Sequence, residues 1–518
     1  MLTGDITFNI VIDPVYEDDH NVNVPYATIN GVAYASFAEA MAAVQSGETI
    51  KLEGETTLEG IADSKLFTVN KNITIDLNGY GFVAKMPDVT KNSSIFEVVN
   101  GGELTITGEG DVKVVTAKAD NCLAAFINNI GGTVNLNGGN WTMTAYDNWQ
   151  DALIPTFVDN NSNTANVTLN INGGTYTFNR NLFRNFANGK STVATMNING
   201  GTFNGRESDA GAIWNQKPYA AAPDGAGVIN VMGGTFNNVV IDDEFNGLTL
   251  LSSENLAEVA NGGIFVLTDD ITVTNTNNLH TQAATANITI NGNGNSIVSS
   301  ASSIDDFQWS EDQTISYMST ILSSAQGSNA KVTVNNLSFE GTMTALNLGH
   351  YVNSSSNWYT TELNNVNVID TKVVSFSAGI SPAVCVYGTA TLNNCNIYGT
   401  TLSELDTDPK WPVYDLAAVN YTNVTINGGK IGSIYMWNQA EVTINENTKV
   451  KTIVIRGNMN ASKYGLKINA GATVGTIDLS AITSKARVNI TIESGATVSS
   501  IVANGNTYES IEAFKNAQ

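Results

Sequence analysis

Three observations on the 518-residue sequence predict an all-β fold, a right-handed parallel β-helix, in which the chain winds as a solenoid. A short phrase recurs: "NINGGTY" at 170–176, "NINGGTF" at 197–203 and "NVMGGTF" at 230–236. Apolar residues and asparagines stand at matching places in successive restatements. Towards the C-terminus the interval settles to a constant 24 residues, with Ile444, Ile468 and Ile492 in step.

In the first half, matching strand positions are Leu104, Val134, Leu169, Met196 and Ile229, at steps of 30, 35, 27 and 33. A second column reads Phe96, Phe126, Phe157, Phe183 and Ile213, and two places on Val98, Asn128, Asp159, Asn185 and Asn215. In the second half the column is Asn336, Asn365, Asn394 and Gly428. Three short strands plus turns, at roughly 3.3 Å per residue, make one coil of about 22–25 residues. Longer steps are the same coil with a loop inserted. Stacked coils place like over like, so an asparagine at a corner can bond the asparagine above it. The glycines of "NGG" supply positive φ where the backbone bends. An antiparallel sandwich needs no such columns.

Each element follows in order. Residues 1–24, with "DITFNIVID", read as an extended N-terminal arm. In "GVAYASFAEAMAAVQSGETIKL" Phe37, Ala40, Met41 and Val44 have helical spacing, with Gly47 as a stop. This predicts a capping helix over the open end of a first β-helix, 25–247. "LSSENLAEVANGGIFVLTDDITV" repeats the design, with Ser253 as N-cap and Leu256, Val259 and Ala260 apolar. It predicts a second β-helix, 248–518, again begun by a capping helix. "NGNTYESIEAFKNAQ" echoes the first cap and predicts a terminal cap helix.

"ATINGVAYASFAEAMAAVQSGETIKLEGETTL…NITIDLNGYGF" resembles the N-terminal capping unit of pectate-lyase-like right-handed β-helix proteins, most closely the adhesin-like surface proteins of gut bacteria. The resemblance is specific over 26–82 and again over 250–297, with "NITINGNGNSI". It implies a fold but transfers no chemistry, because that superfamily holds lyases, hydrolases, tailspikes and non-catalytic adhesins. The hydrolase pattern includes a Gly-His-Gly and an Arg-Ile-Lys element, and neither occurs here; His350 stands in "LGHYV". A lyase of this family needs carboxylates on neighbouring coils to hold Ca²⁺ and a basic residue over the sugar. The adjacent acids Asp242–Asp243–Glu244 and Asp269–Asp270 are read as turn residues beside the second cap, and Asp305–Asp306 is a further pair.

Composition narrows the function. The chain has 24 Lys+Arg against 48 Asp+Glu, a net charge of −24, yet only 14% of residues are charged. Such a body repels a phosphate backbone, so no nucleic-acid partner is expected. From Tyr421 onward nine basic residues face six acidic ones, a net of +3, which leaves −27 upstream. No apolar run is long enough to span a membrane. The N-terminus lacks the pattern of a signal peptide. Either a signal has been removed, or the chain leaves the cell another way, such as inside a virion. Three cysteines exclude a full disulfide framework. Cys122, Cys385 and Cys395 are expected as small core residues, Cys395 in the column of Leu337 and Val366, with a Cys385–Cys395 bridge the minor alternative. His20, His280 and His350 lack ligand spacing. No cofactor is expected; Ca²⁺ held by loop carboxylates and carbonyls is the metal left open.

Aromatic residues supply the positive hint of binding. Trp149, Trp214, Trp358, Tyr359, Trp411 and Trp437 stand in or beside inserted segments. Strand alternation predicts Arg184 and Trp214 facing outward on successive coils, as a platform for a sugar ring or protein. The bland alternative is that these rings fold back against the wall. The sequence therefore predicts a non-enzymatic, adhesin-like protein of the cell surface or extracellular space, with a polysaccharide or other cell-surface component as partner. A phage receptor-binding or structural protein, a trimer in the virion, is the second reading. A polysaccharide lyase or glycoside hydrolase with an unrecognised site is the third.

Overall fold

The computed structural model describes residues 26–517, apart from 116–122, 145–153, 179–180, 206–210, 218–224, 274–286, 301, 303–330, 342–345, 349–359, 375–379, 407–410, 420, 438 and 458–463. The N-terminal arm lies outside the described residues. Among the described residues strand makes up 59% and helix 6%, so the fold is all-β and, with its long parallel sheets, solenoid-like. The chain divides into two compact units, Met1–Asn230 with Asn237–Val239, and Val231–Phe236 with Val240–Gln518.

The first unit lays its strands into three parallel sheets in rotation. Thr49–Leu52, Thr56–Glu59 and Lys65–Val69 are each followed, about one coil later, by Asn72–Asp76, Phe82–Lys85 and Ser93–Val98 in the same sheets. The next coil adds Glu103–Thr107, Asp111–Val115 and Leu123–Asn129. Alternation sends one face inward: in Glu103–Thr107, Leu104 and Ile106 are fully buried and their neighbours half-buried. The interior is an aromatic chain. Phe82, Phe96, Phe126, Trp141, Phe157, Tyr176, Phe183 and Phe203 are all fully buried, each ring in contact with the next along the stack. Their polar edges are answered locally. Trp141 Nε1 donates to Gly138 O (2.9 Å) and the Tyr176 hydroxyl to Gly173 O (2.7 Å). Both acceptors belong to the glycine corner that opens the same strand.

Asparagine columns stack as expected, with one correction. The ladder pairs Phe96 with Ile127, Ile127 with Val158, Val158 with Phe183 and Phe183 with Ile213. The polar column is therefore Val98, Asn129, Asn160, Asn185 and Asn215, not Asn128 and Asp159. The amides set this register. Asn129 accepts from Gly132 N (3.0 Å), closing a corner, and donates to Asn160 Oδ1 (2.8 Å). Asn160 donates to Asn185, and Asn185 to Asn215, each at 2.8 Å. All four are fully buried, and each also donates to a backbone carbonyl.

The second unit carries a 21-stranded sheet whose coil-to-coil pairs are parallel until Thr497–Ala503 turns back antiparallel onto Asn506–Tyr508. Its core is aliphatic, including Ile426, Ile434, Ile444, Ile453, Ile468 and Ile477. The column Asn336, Asn365, Asn394 and Gly428 proves to be a stack of left-handed corners, with φ of 49°, 53°, 52° and 77°. Asparagine and glycine share it because they adopt that conformation at least cost. Leu337, Val366 and Cys395, the residues after each asparagine, are all fully buried, as expected.

Helix α1, Phe37–Ala43, begins at Ser36, whose hydroxyl accepts from Glu39 N (3.1 Å). Phe37 drives its ring edge-on against Phe67, Phe82 and Phe96. Helix α2, Ile511–Asn516, is capped the same way by Ser510 and buries Ile511 and Phe514. The second expected helix differs. It is a 3₁₀ helix, Leu256–Asn261, and Asn255 rather than Ser253 precedes it. The Asn255 amide accepts from Ser252 N and donates to Leu250 O, so 252–255 fold as a tight turn in place of a first helical turn.

Candidate functional site

The expected site residues separate into three groups. Trp149, Trp358 and Tyr359 lie outside the described residues, as do Cys122, all three histidines and Asp305–Asp306. Arg184 and Trp214 are neighbours in register, with Asp159 on the other side of Arg184. Trp411 and Trp437 belong to the second unit.

Arg184 corrects the expectation of an outward platform. It is 6% exposed and Asp159 is 0% exposed, because residues 156–160 and 183–187 are buried on both strand faces. The guanidinium grips Asp159 through Nε–Oδ1 (2.6 Å) and Nη2–Oδ2 (2.9 Å), and Nη1 reaches Gln216 Oε1 (3.3 Å). Its Cζ stands 4.5 Å from the centre of the Phe186 ring. A forked, buried pair of this kind is internal structure. Trp214 is half-buried beside it.

Trp437 is placed differently. It ends the long strand Asn423–Trp437, whose last stretch turns Ile434 and Met436 inward and Tyr435 and Trp437 outward. Stacking puts Cys385, Ala417, Tyr435, Val454 and Asp478 in one outer row, and Val419, Trp437 and Arg456 in the next. Adjacent members stand about 4.8 Å apart, the spacing of paired strands. Ile380, Cys385, Ala417, Val419 and Tyr435 form a buried outer cluster, with Tyr387, Tyr414, Trp437 and Val454 half-buried on it. Tyr414 lies 4.7 Å from Tyr435, ring centre to ring centre, and Arg456 Nη1 reaches the Tyr435 hydroxyl at 3.5 Å. Burial, then the Tyr435 and Asp478 charges, push the Tyr414 phenol up; burial does the same to Tyr435 against the pull of Arg456. Trp411, 39% exposed, stands two residues before the strand Val413–Val419 that carries Tyr414.

This is a wall of half-covered rings with a guanidinium at its edge. Ring faces of that kind stack on the C–H faces of sugars, and the guanidinium donates to hydroxyls. The nearby carboxylates are otherwise engaged. Asp415 accepts from Thr400 N (2.9 Å), Ser433 N (2.6 Å) and Ser433 Oγ (2.8 Å), and Asp478 accepts from Ser480 N (2.8 Å). Among the described residues, no three His, Cys, Asp or Glu side chains converge to hold a metal ion. Cys385 and Cys395 are free, buried thiols, so they form no bridge.

A second surface of the same unit is an open groove of about 680 Å³ over the asparagine corner, lined by Asn393, Asn427, Asn445 and Asn469 with Lys467 and Glu493. These amides pass one hydrogen bond from coil to coil, and Glu493, paired with Lys467 at 2.9 Å, ends the run.

Trp437 was singled out in the sequence; Tyr387, Tyr414, Tyr435 and Arg456 were not. The signal was the spacing "IYMW" against "IVIR", Tyr435 and Trp437 over Val454 and Arg456, which becomes visible once the coils are aligned. No family model, curated protein or solved structure matches the chain.

Proposed function

We propose that the chain is a non-enzymatic, adhesin-like protein exposed outside the cell, folded as a right-handed parallel β-helix of the pectate-lyase-like kind. α1 and α2 cover its coils, and it contacts glycans through the outer face at Tyr387, Tyr414 and Trp437. The observation that carries this reading is the cluster of half-covered rings, Tyr387, Tyr414 and Trp437, with Arg456 beside Trp437, on a surface whose carboxylates already accept backbone N–H groups. Rigid rings on stacked strands present a surface that loses little conformational entropy on binding.

A glycan array probed with the purified chain, with and without Ca²⁺, tests the proposal. The expected result is binding to a defined glycan set with no release of unsaturated or reducing ends. Turnover of any bound polysaccharide contradicts the non-enzymatic reading. Binding that requires Ca²⁺ shows that the described aromatic face is not sufficient.

A further inference from the structure

Several lysines of this protein pair with acids. Lys65 pairs with Glu97, Lys85 with Glu59, Lys331 with Glu362 and Lys467 with Glu493, each an acid on a neighbouring coil. Lys430, Lys449 and Lys451 cluster without such a partner. All three are exposed, and none has a carboxylate within ion-pairing distance among the described residues. Lys430 and Lys449 sit directly opposite each other on adjacent parallel strands, where like charges repel. Lys430 holds its ammonium 3.9 Å from the centre of the Tyr398 ring, facing outward from the wall. Lys451 stands at the bend beside Gly432, beyond which the same two strands carry Tyr435, Trp437 and Arg456. The two sets form one strip, cationic at one end and aromatic at the other, in a chain of net charge −24.

From this strip we infer that the glycan is sulfated, an inference that rests on the glycan-contact reading above. A row of lysines without acid partners is complementary to a polyanion. Three of the four cations are lysines, point charges without the planar fork that matches a carboxylate. A tetrahedral sulfate ester suits them better than a planar uronate. Rings beside the cations take the sugar faces between the charged groups.

Heparin serves as the sulfated probe, with fully desulfated heparin and polygalacturonate as comparisons, in binding titrations at about 50 and 500 mM salt. Heparin is expected to bind at low salt at least tenfold more tightly than either comparison and to weaken by a similar factor at high salt. The double variant Lys430→Gln/Lys449→Gln is expected to lose about tenfold in heparin affinity, with unchanged circular dichroism. Trp437→Ala is expected to weaken it too. Polygalacturonate bound as well as heparin, or an indifferent double variant, overturns the inference. If neutral glycans bind through Trp437 while heparin does not, this inference fails and the glycan-contact reading stands. If no glycan of either kind binds, both fail.

Discussion

Asp159 and Arg184 show how one residue of register changes a functional reading. The expected column set Asp159 level with Asn185; in the true register Asp159 stands opposite Arg184 and both are buried. Removing one partner strands the other charge in the interior, so Asp159→Asn is expected to cost about 3–5 kcal/mol in urea unfolding. The double change Asp159→Leu/Arg184→Met is expected to recover most of that loss. The thiols make a second prediction. Burial pushes Cys385 up to about 12 and Cys395 up to about 11. A raised pKa in the folded state means that the unfolded chain loses its proton first. The stability from burial is thus complete below pH 9 and is lost as pH rises from there through 11–12. Urea midpoints measured from pH 7 to 11 are expected to hold steady and then fall, and to fall less steeply in Cys385→Ala. Peptides carrying either thiol are expected to resist alkylation at pH 8 until the protein is denatured.

Among the elements, what was readable depended on how local the signal was. Helix α1 was legible because its apolar face and the stop at Gly47 lie within about ten residues of each other, and α2 because its sequence echoes that of α1. The 3₁₀ segment was misread because Asn255 competes with Ser253 for the same turn, and propensity does not rank that contest. The "NGG" corners were legible in their second glycine: Gly174 and Gly201 have φ of 101° and 106°, and a Cβ on Gly174 would meet Gly138 O at 2.9 Å. The Asn129–Asn215 ladder was legible as a kind of column but not in its register, since slipping a strand by one residue leaves the composition of every column similar. That ladder has a measurable worth. Asn160→Ala removes an acceptor from Asn129 and a donor from Asn185, both in the interior, and is expected to cost about 1–3 kcal/mol. The same change at Asn199, an exposed residue that donates to Asn172, is expected to cost well under 1 kcal/mol. Ser36→Ala should cost about 1 kcal/mol, read as a lower urea midpoint.

For the molecule as a whole, two cores of different chemistry support one kind of wall. The first unit stacks aromatic rings and the second stacks isoleucine, valine and leucine, while both present threonine and asparagine outward. This division explains why tryptophan is a poor guide to function here: Trp141 is a fully buried core ring, whereas Trp437 stands on the outer face. Charge is divided as well, since the excess of acids lies before Tyr421 and a small excess of basic residues after it. The repeat was legible because it recurs many times along the chain. The aromatic face was not, because its members come from four separated strands. The most direct test of the account compares the affinities of the wild type, Trp437→Ala and Trp214→Ala for the best-binding array glycan. The account predicts at least a tenfold loss for Trp437→Ala and an unchanged affinity for Trp214→Ala. A loss confined to Trp214→Ala would contradict it and return the binding surface to the first unit.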